Sequence, residues 1–162
     1  MVYMPVTPIK RILPIKRILK TAVVGLPAAV SLLLAGTATA GAAAPSGVPC
    51  AATARACVDL SSQHAWLLRN GKASYGPVPV ATGKGSAPTD VGTFRVFWKD
   101  LHHRSSIFNN APMPYSVFFN GGEAFHEDNV AVRSNGCVHL SHSAAQTFYN
   151  TLRIGDIVQV VA

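Results

Sequence analysis

From Ala56 onward, apolar positions recur in short runs broken by Gly, Asn, Pro and Ser, a pattern that predicts strands and turns. Ala56 to Asp59 and His64 to Arg69 read as two strands, or as one bent strand interrupted at Ser61-Ser62-Gln63. Asn70-Gly71 is a hairpin turn, because both residues tolerate positive φ. The return strand runs through Lys72 to Ala81, and Pro77 and Pro79 keep it near an edge. Residues 82–86 form a flexible loop and residues 87–92 a second turn-rich segment. From Thr93 to Lys99, Phe94, Val96 and Trp98 alternate with Arg95, Phe97 and Lys99, which predicts one strand with the first set facing the core. Leu101 to Met113 is polar and turn-like, long enough for a functional loop or lid.

Tyr115 to Phe119 is the next strand, turned back by Asn120-Gly121-Gly122 into a short one at Ala124-Phe125-His126. After Cys137 the period changes. Ser141 or Ser143 can cap a helix through Leu152, with Ala144, Ala145, Phe148, Tyr149 and Leu152 on its apolar face. Arg153 suits the last turn and Gly155 the stop. Asp156 to Ala162 is mostly apolar and predicts a final strand central to a sheet. The expected fold is mainly β, a sandwich or partly closed barrel with one short helix and no internal repeat.

The chain ahead of this pattern has another logic. Lys10, Arg11, Lys16, Arg17 and Lys20 precede an apolar run from Ala22 to Ala35, and small-residue sites follow at 38–40 and 42–44. That order is a secretory signal peptide, cleaved after Ala40 or Ala44. A retained membrane anchor is the alternative, but the run is short for a span and Pro27 interrupts it. Residues 1–44 are therefore assigned to export and processing, 45–55 to a short N-terminal segment and 56–162 to the functional domain. The expected location is the cell wall, periplasm or exterior.

Removing the leader changes the charge. Five of the 14 basic residues belong to it, leaving nine against seven acids, about +2 instead of +7. No Lys/Arg cluster survives, so nucleic acid is not an expected partner. Neither glycine-containing loop has phosphate-loop order, so no nucleotide is expected. One modest domain remains, read as a monomer without a cofactor. Cys50 and Cys57 are close enough in sequence to close a small disulfide loop after export, which leaves Cys137 as the odd thiol. Pairing of Cys137 with either of the others is the competing arrangement, and it would remove the nucleophile.

The chemistry concentrates in FHEDNVAVRSNGCVHLS, where His126 precedes Cys137 by eleven residues. A free thiol is only a few per cent ionised at neutral pH, so an imidazole that accepts its proton equips it for acyl transfer. A tight Asn135-Gly136-Cys137 loop can aim backbone N–H groups at a developing oxyanion. Among the other histidines, His102-His103 reads as an exposed loop pair and His64 has no partner at ligand spacing. His139 and His142 lie three apart, but no third ligand follows at structural spacing, so no metal is expected. Trp66 and Trp98 read as core or cleft wall.

These blocks resemble the L,D-transpeptidase catalytic domain, the YkuD-like family of bacterial cell-wall cross-linking enzymes. The likeness runs through Val58-Asp59-Leu60, Asn70-Gly71-Lys72, Val80-Ala81-Thr82-Gly83 and Thr89-Asp90-Val91-Gly92-Thr93-Phe94. It culminates in Met113-Pro114-Tyr115, Gly122-Glu123-Ala124-Phe125-His126 and Ser134-Asn135-Gly136-Cys137-Val138-His139-Leu140. The resemblance implies Cys137 as nucleophile and His126 as base, oriented by the backbone carbonyl of Glu127. It implies Ser134, Asn135 and Gly136 as the loop before the nucleophile, with the Gly136 and Cys137 N–H groups as oxyanion donors. Tyr115 and Phe125 fall where the family forms its substrate cleft.

The implied reaction joins peptidoglycan stem peptides by 3→3 cross-links through a cysteine thioester. Two positions depart from the family pattern. Asn135 stands where histidine is usual, and His139 where arginine is usual, so the hold on the loop or on a substrate carboxylate is expected to differ. The His126-to-Cys137 spacing is also short for the family, implying a trimmed loop over the cleft. The competing readings are an L,D-carboxypeptidase with water as acceptor, and a secreted wall-binding domain without turnover.

Overall fold

The computed structural model describes residues 47–162, so the predicted leader lies outside the described residues. Among the described residues, nine strands form two sheets that do not close into a barrel, with one helix. The strands are β1 (Ala56–Asp59), β2 (His64–Arg69), β3 (Lys72–Pro79), β4 (Gly92–Arg95), β5 (Trp98–Arg104), β6 (Pro112–Asn120), β7 (Glu123–Glu127), β8 (Val138–Leu140) and β9 (Ile157–Val161). The helix, α1, spans His142–Thr151 between β8 and β9. No helix among the described residues is long and apolar enough to cross a membrane.

The first sheet has the order β3-β2-β1-β9-β4 and the second β5-β6-β7-β8. The proline-bearing β3 lies at an edge, as Pro77 and Pro79 require. The apolar C-terminal strand β9 is interior, parallel to β1 and antiparallel to β4. Ala56, Val58, Val158 and Val160 reach from the first sheet into the main core, where Val117, Phe119, Phe125, Val138 and Leu140 meet them from the second. Phe148 of α1 fills the space between, with its ring 5.0 Å from that of Phe125.

The first sheet is covered on its other face too. Cys57, Trp66 and Leu68 alternate away from the main core and pack with Val48, Cys50 and Ala54 of the N-terminal segment. Cys50 and Cys57 are disulfide-bonded, and Gln159 Oε1 accepts a hydrogen bond from Ala51 N at 2.7 Å. Residues 48–54 are thus a strap on the sheet, integral to the same packed unit. Cys137 is a free thiol.

Three expectations need correcting. The segment 93–99 is not one strand, because the chain leaves the first sheet at Arg95 and enters the second at Trp98. Val96 is buried, but Trp98 is 45% exposed, stacked on Phe118 on the outer face of the second sheet. Leu101–Met113 is mostly hairpin, with Arg104 opposite Pro112, so only residues 105–111 remain as its tip. The His102-His103 pair therefore stands on a strand, where alternation exposes His102 and half-buries His103 against Trp98 and Phe118. The helix begins at the Ser141 cap and gives way to extended backbone at Leu152, leaving Arg153 beyond it. Lys99 does the work expected of Arg153: its Nζ donates to the carbonyls of Tyr149 and Leu152 at the helix C-terminal end.

Candidate active site

Strand alternation in the second sheet separates core from cleft. Phe125 pairs with Val138 and His126 with His139 across the parallel β7–β8 ladder. Phe125 and Val138 face the core, so His126 and His139 face the opposite side together. Ala124 shares that outer face and packs with Met113 and Phe118, and Cys137, immediately before β8, packs against the same cluster. The face forms the floor of a cleft of about 620 Å³ that both Cys137 and His126 line.

The same alternation corrects two expected cleft residues. Phe125 is fully buried in the main core, on the wrong side of its strand for substrate. Tyr115 packs against that core from the helix side, its ring 5.9 Å from Tyr149 and 5.5 Å from His142. Neither lines the cleft. His139 does, as do His103 and the hairpin tip at Ile107 and Phe108.

The loop before Cys137 is held from beneath. Ser134 Oγ donates to the Cys137 carbonyl and accepts from Gly136 N at 3.1 Å. Gly136 adopts φ +116°, open to glycine and strained for other residues. Its carbonyl accepts from buried Thr89 Oγ1 at 2.7 Å, and Thr89 Oγ1 accepts from Gly83 N at 2.9 Å. Arg133 donates to the carbonyls of Thr82 and Gly83, while Ser134 N donates to Thr82 O at 3.1 Å. The Gly136 N–H is thus committed inside the loop, so of the expected pair the Cys137 N–H is the one that Ser134 does not take. Asn135 is exposed, and among the described residues its side chain makes no hydrogen bond. The loop is held by Ser134, Thr89 and Arg133 instead.

Gly83 has a steric role in this arrangement. A Cβ there would lie 2.3 Å from Ala87 O and 2.5 Å from Thr89 N, both backbone atoms. Gly83→Ala is therefore expected to destabilise the protein by about 2 kcal/mol or more, as overpacking typically does. It should also speed modification of Cys137 by a thiol reagent, because the support under the loop shifts. Urea unfolding and the rate of alkylation check the two effects.

The titratable groups are set for neutral partners. Burial lowers the His126 pKa from 6.5 to about 4, only partly offset by its hydrogen bond to the backbone of Glu127. Its Nδ1 lies 2.9 Å from the Glu127 carbonyl, which can only accept, so Nδ1 carries the proton and Nε2 a free lone pair. Burial pushes the Cys137 thiol up, and the Glu123 and Asp128 carboxylates add to it against an opposing Ala124 N–H. Burial also raises Glu123, whose carboxylate bonds Asp90 N and Asn120 Nδ2 at the cleft edge. The thiol itself donates to Gly122 O at 3.6 Å. The shifts of His126 and Cys137 both favour a neutral thiol and a neutral imidazole over a thiolate–imidazolium pair at rest.

Sequence reasoning did not assign Thr82, Thr89, Arg133 or Asp128 to the site. The two threonines stood inside motifs quoted for the family likeness, but nothing in the sequence shows that they meet the loop. Arg133 was counted only as charge. Asp128 lies two residues beyond His126 and so falls on its side of the strand direction.

A free thiol and a neutral imidazole on one sheet face define a candidate site for cysteine-based acyl transfer. The chain belongs to the L,D-transpeptidase catalytic domain family (YkuD), whose model matches residues 53–160. An L,D-transpeptidase from Stackebrandtia nassauensis is 34% identical, with a TM-score of 0.63, over 66% of this chain and 54% of that one. One from Xylanimonas cellulosilytica is 22% identical, with a TM-score of 0.63, over 70% and 63%. An L,D-transpeptidase solved with imipenem is 24% identical, with a TM-score of 0.60, over 65% and 57%. The last two bear on the fold alone. This chain spans little more than half the length of the first of these proteins. No curated protein matches it.

Proposed function

We propose that the protein is an exported peptidoglycan L,D-transpeptidase acting through a thioester on Cys137. A stem tetrapeptide enters the cleft with the carbonyl of its meso-diaminopimelate residue against Cys137. As Sγ attacks, the thiol proton passes to His126 Nε2, and the Cys137 N–H faces the developing oxyanion. The tetrahedral intermediate collapses with loss of D-alanine, whose amine takes the proton from His126, leaving a thioester. The side-chain amine of a second stem attacks that thioester, the resulting amide is the 3→3 cross-link, and the thiol is regenerated. Water in place of the amine gives the carboxypeptidase outcome.

The observation that carries this reading is one cleft lined by both the free Cys137 thiol and a buried, neutral His126 whose Nδ1 is held by Glu127 O. A charged imidazole could not accept the proton, and a disulfide-bonded Cys137 could not attack. Family membership supplies the substrate class. Incubation of the mature protein with imipenem is expected to add one molecule's mass, mapped to Cys137 by peptide fragmentation. Incubation with stem tetrapeptides is expected to release D-alanine and yield cross-linked dimer. A folded protein that gains no mass from either would overturn the proposal and favour a wall-binding role.

A further inference from the structure

We propose that His126, Asp128 and His139 form a binding site for one Zn²⁺ ion at the floor of the cleft. One ligand atom from each residue lies within 4.8 Å of the other two. Parallel register places both imidazoles on the cleft face, and Asp128 follows His126 by two residues. The sequence paired His139 with His142 and found no third ligand. The fold sets His139 beside His126 and Asp128, while His142 bonds Glu127 Oε2 instead.

Hydrogen bonds to backbone carbonyls prepare both imidazoles as ligands. His126 Nδ1 donates to Glu127 O and His139 Nδ1 to Val132 O, each at 2.9 Å. A backbone carbonyl on Nδ1 is the usual outer partner of a metal-bound histidine, because it fixes the ring and leaves the Nε2 lone pair inward. His139 Nε2 stands 3.5 Å from Asp128 Oδ2. With zinc bonds of about 2.0–2.2 Å, two ligand atoms of a tetrahedral site are about 3.4 Å apart, so this edge already has the required length. The third ligand needs to close by about 1.4 Å at most, measured from the 4.8 Å limit to that same edge.

The arrangement also calls for a cation. With both Nδ1 atoms turned to backbone carbonyls, the rings of His126 and His139 gather with the Asp128 carboxylate. A single proton can bridge two of these groups; a metal ion satisfies all three. Two imidazoles and one carboxylate suit zinc better than magnesium or calcium, which favour all-oxygen sets. Both histidines are buried and Asp128 is exposed, so the fourth coordination position opens to the cleft.

The regulatory consequence rests on the acyl-transfer reading above: zinc on His126 Nε2 occupies the lone pair that takes the thiol proton, and acylation stops until the ion leaves. The binding claim does not depend on that reading. Titration of the metal-free mature protein with Zn²⁺ in a calorimeter is expected to saturate at one equivalent. Asp128→Asn and His139→Gln, each shown folded by circular dichroism, are expected to weaken binding at least tenfold. Cys137→Ser is expected to retain it, and Co²⁺ is expected to give visible d–d bands without a thiolate charge-transfer band. Absence of saturable binding overturns the site. So does binding that is lost in Cys137→Ser yet kept in Asp128→Asn, since the thiol would then be the ligand. In a parallel arm, Zn²⁺ should slow imipenem acylation and a chelator restore it. A parent protein that is never acylated defeats the transpeptidase reading and leaves the titration to decide the zinc site.

Discussion

Cys137→Ala is expected to abolish the imipenem adduct and to lower cross-link formation and D-alanine release by roughly 10⁴-fold or more. The side chain lost is small and packs only against the edge of the Met113, Phe118 and Ala124 cluster. Its hydrogen bonding amounts to a long contact with Gly122 O and the Ala124 N–H. The variant should therefore fold and keep a melting temperature close to that of the parent, so lost activity cannot be blamed on lost structure. His126→Gln is the informative companion. It leaves the nucleophile in place without a proton acceptor, and a loss of roughly 10²–10⁴-fold is expected there. Residual acylation of that variant should rise with pH, as hydroxide ionises the raised thiol. Undiminished turnover in Cys137→Ala would remove the thioester from the mechanism.

Acidification is expected to destabilise the fold through His126 over a defined window. Its folded pKa of about 4 lies below the ordinary 6.5, so the unfolded chain takes up the proton first as pH falls. The contribution is complete above pH 6.5, erodes as pH drops, and is gone below about pH 4. The two values correspond to about 3 kcal/mol. Glu123 acts with the opposite sign, because its raised pKa favours the folded state at lower pH and loses that advantage as pH rises. Urea midpoints should therefore be compared between the parent and His126→Gln at pH 7.5 and pH 4.5. The parent should lose more stability between the two conditions than the variant does. Equal losses would mean that His126 titrates normally and is not the buried neutral base.

Much of the fold was legible because one-sided strands and turns announce themselves. β1 and β2, the Asn70-Gly71 turn, the Ser141 cap and the interior C-terminal strand were all read from local pattern. The break at Val96-Phe97 was not, since period two continues unbroken through a residue pair that passes from one sheet to the other. Cys137 and His126 stood out by residue type. The motif position of Phe125 points to the cleft, but strand alternation puts it opposite His126, in the core. What holds the loop was hidden for another reason: Thr82 lies 51 positions from Arg133 and Thr89 lies 47 from Gly136, and no local pattern encodes such contacts. The Glu127 carbonyl under His126 was expected from the family likeness, and the backbone is indeed what binds the ring.

The connection between β7 and β8 has a consequence for how specificity can vary. It joins two parallel neighbours without an intervening helix, and the His126–His139 register fixes where it starts and ends. His126 and Cys137 are therefore spaced by the ladder and by the Ser134 and Thr89 bonds, while residues 129–131 lie outside those bonds. Lengthening or shortening that segment reshapes what the cleft admits and leaves the distance between proton donor and acceptor to the sheet. On the proposed function, selectivity and chemistry are thus mechanically separable, and segments of different length are expected to redirect the acceptor on an unchanged reaction centre.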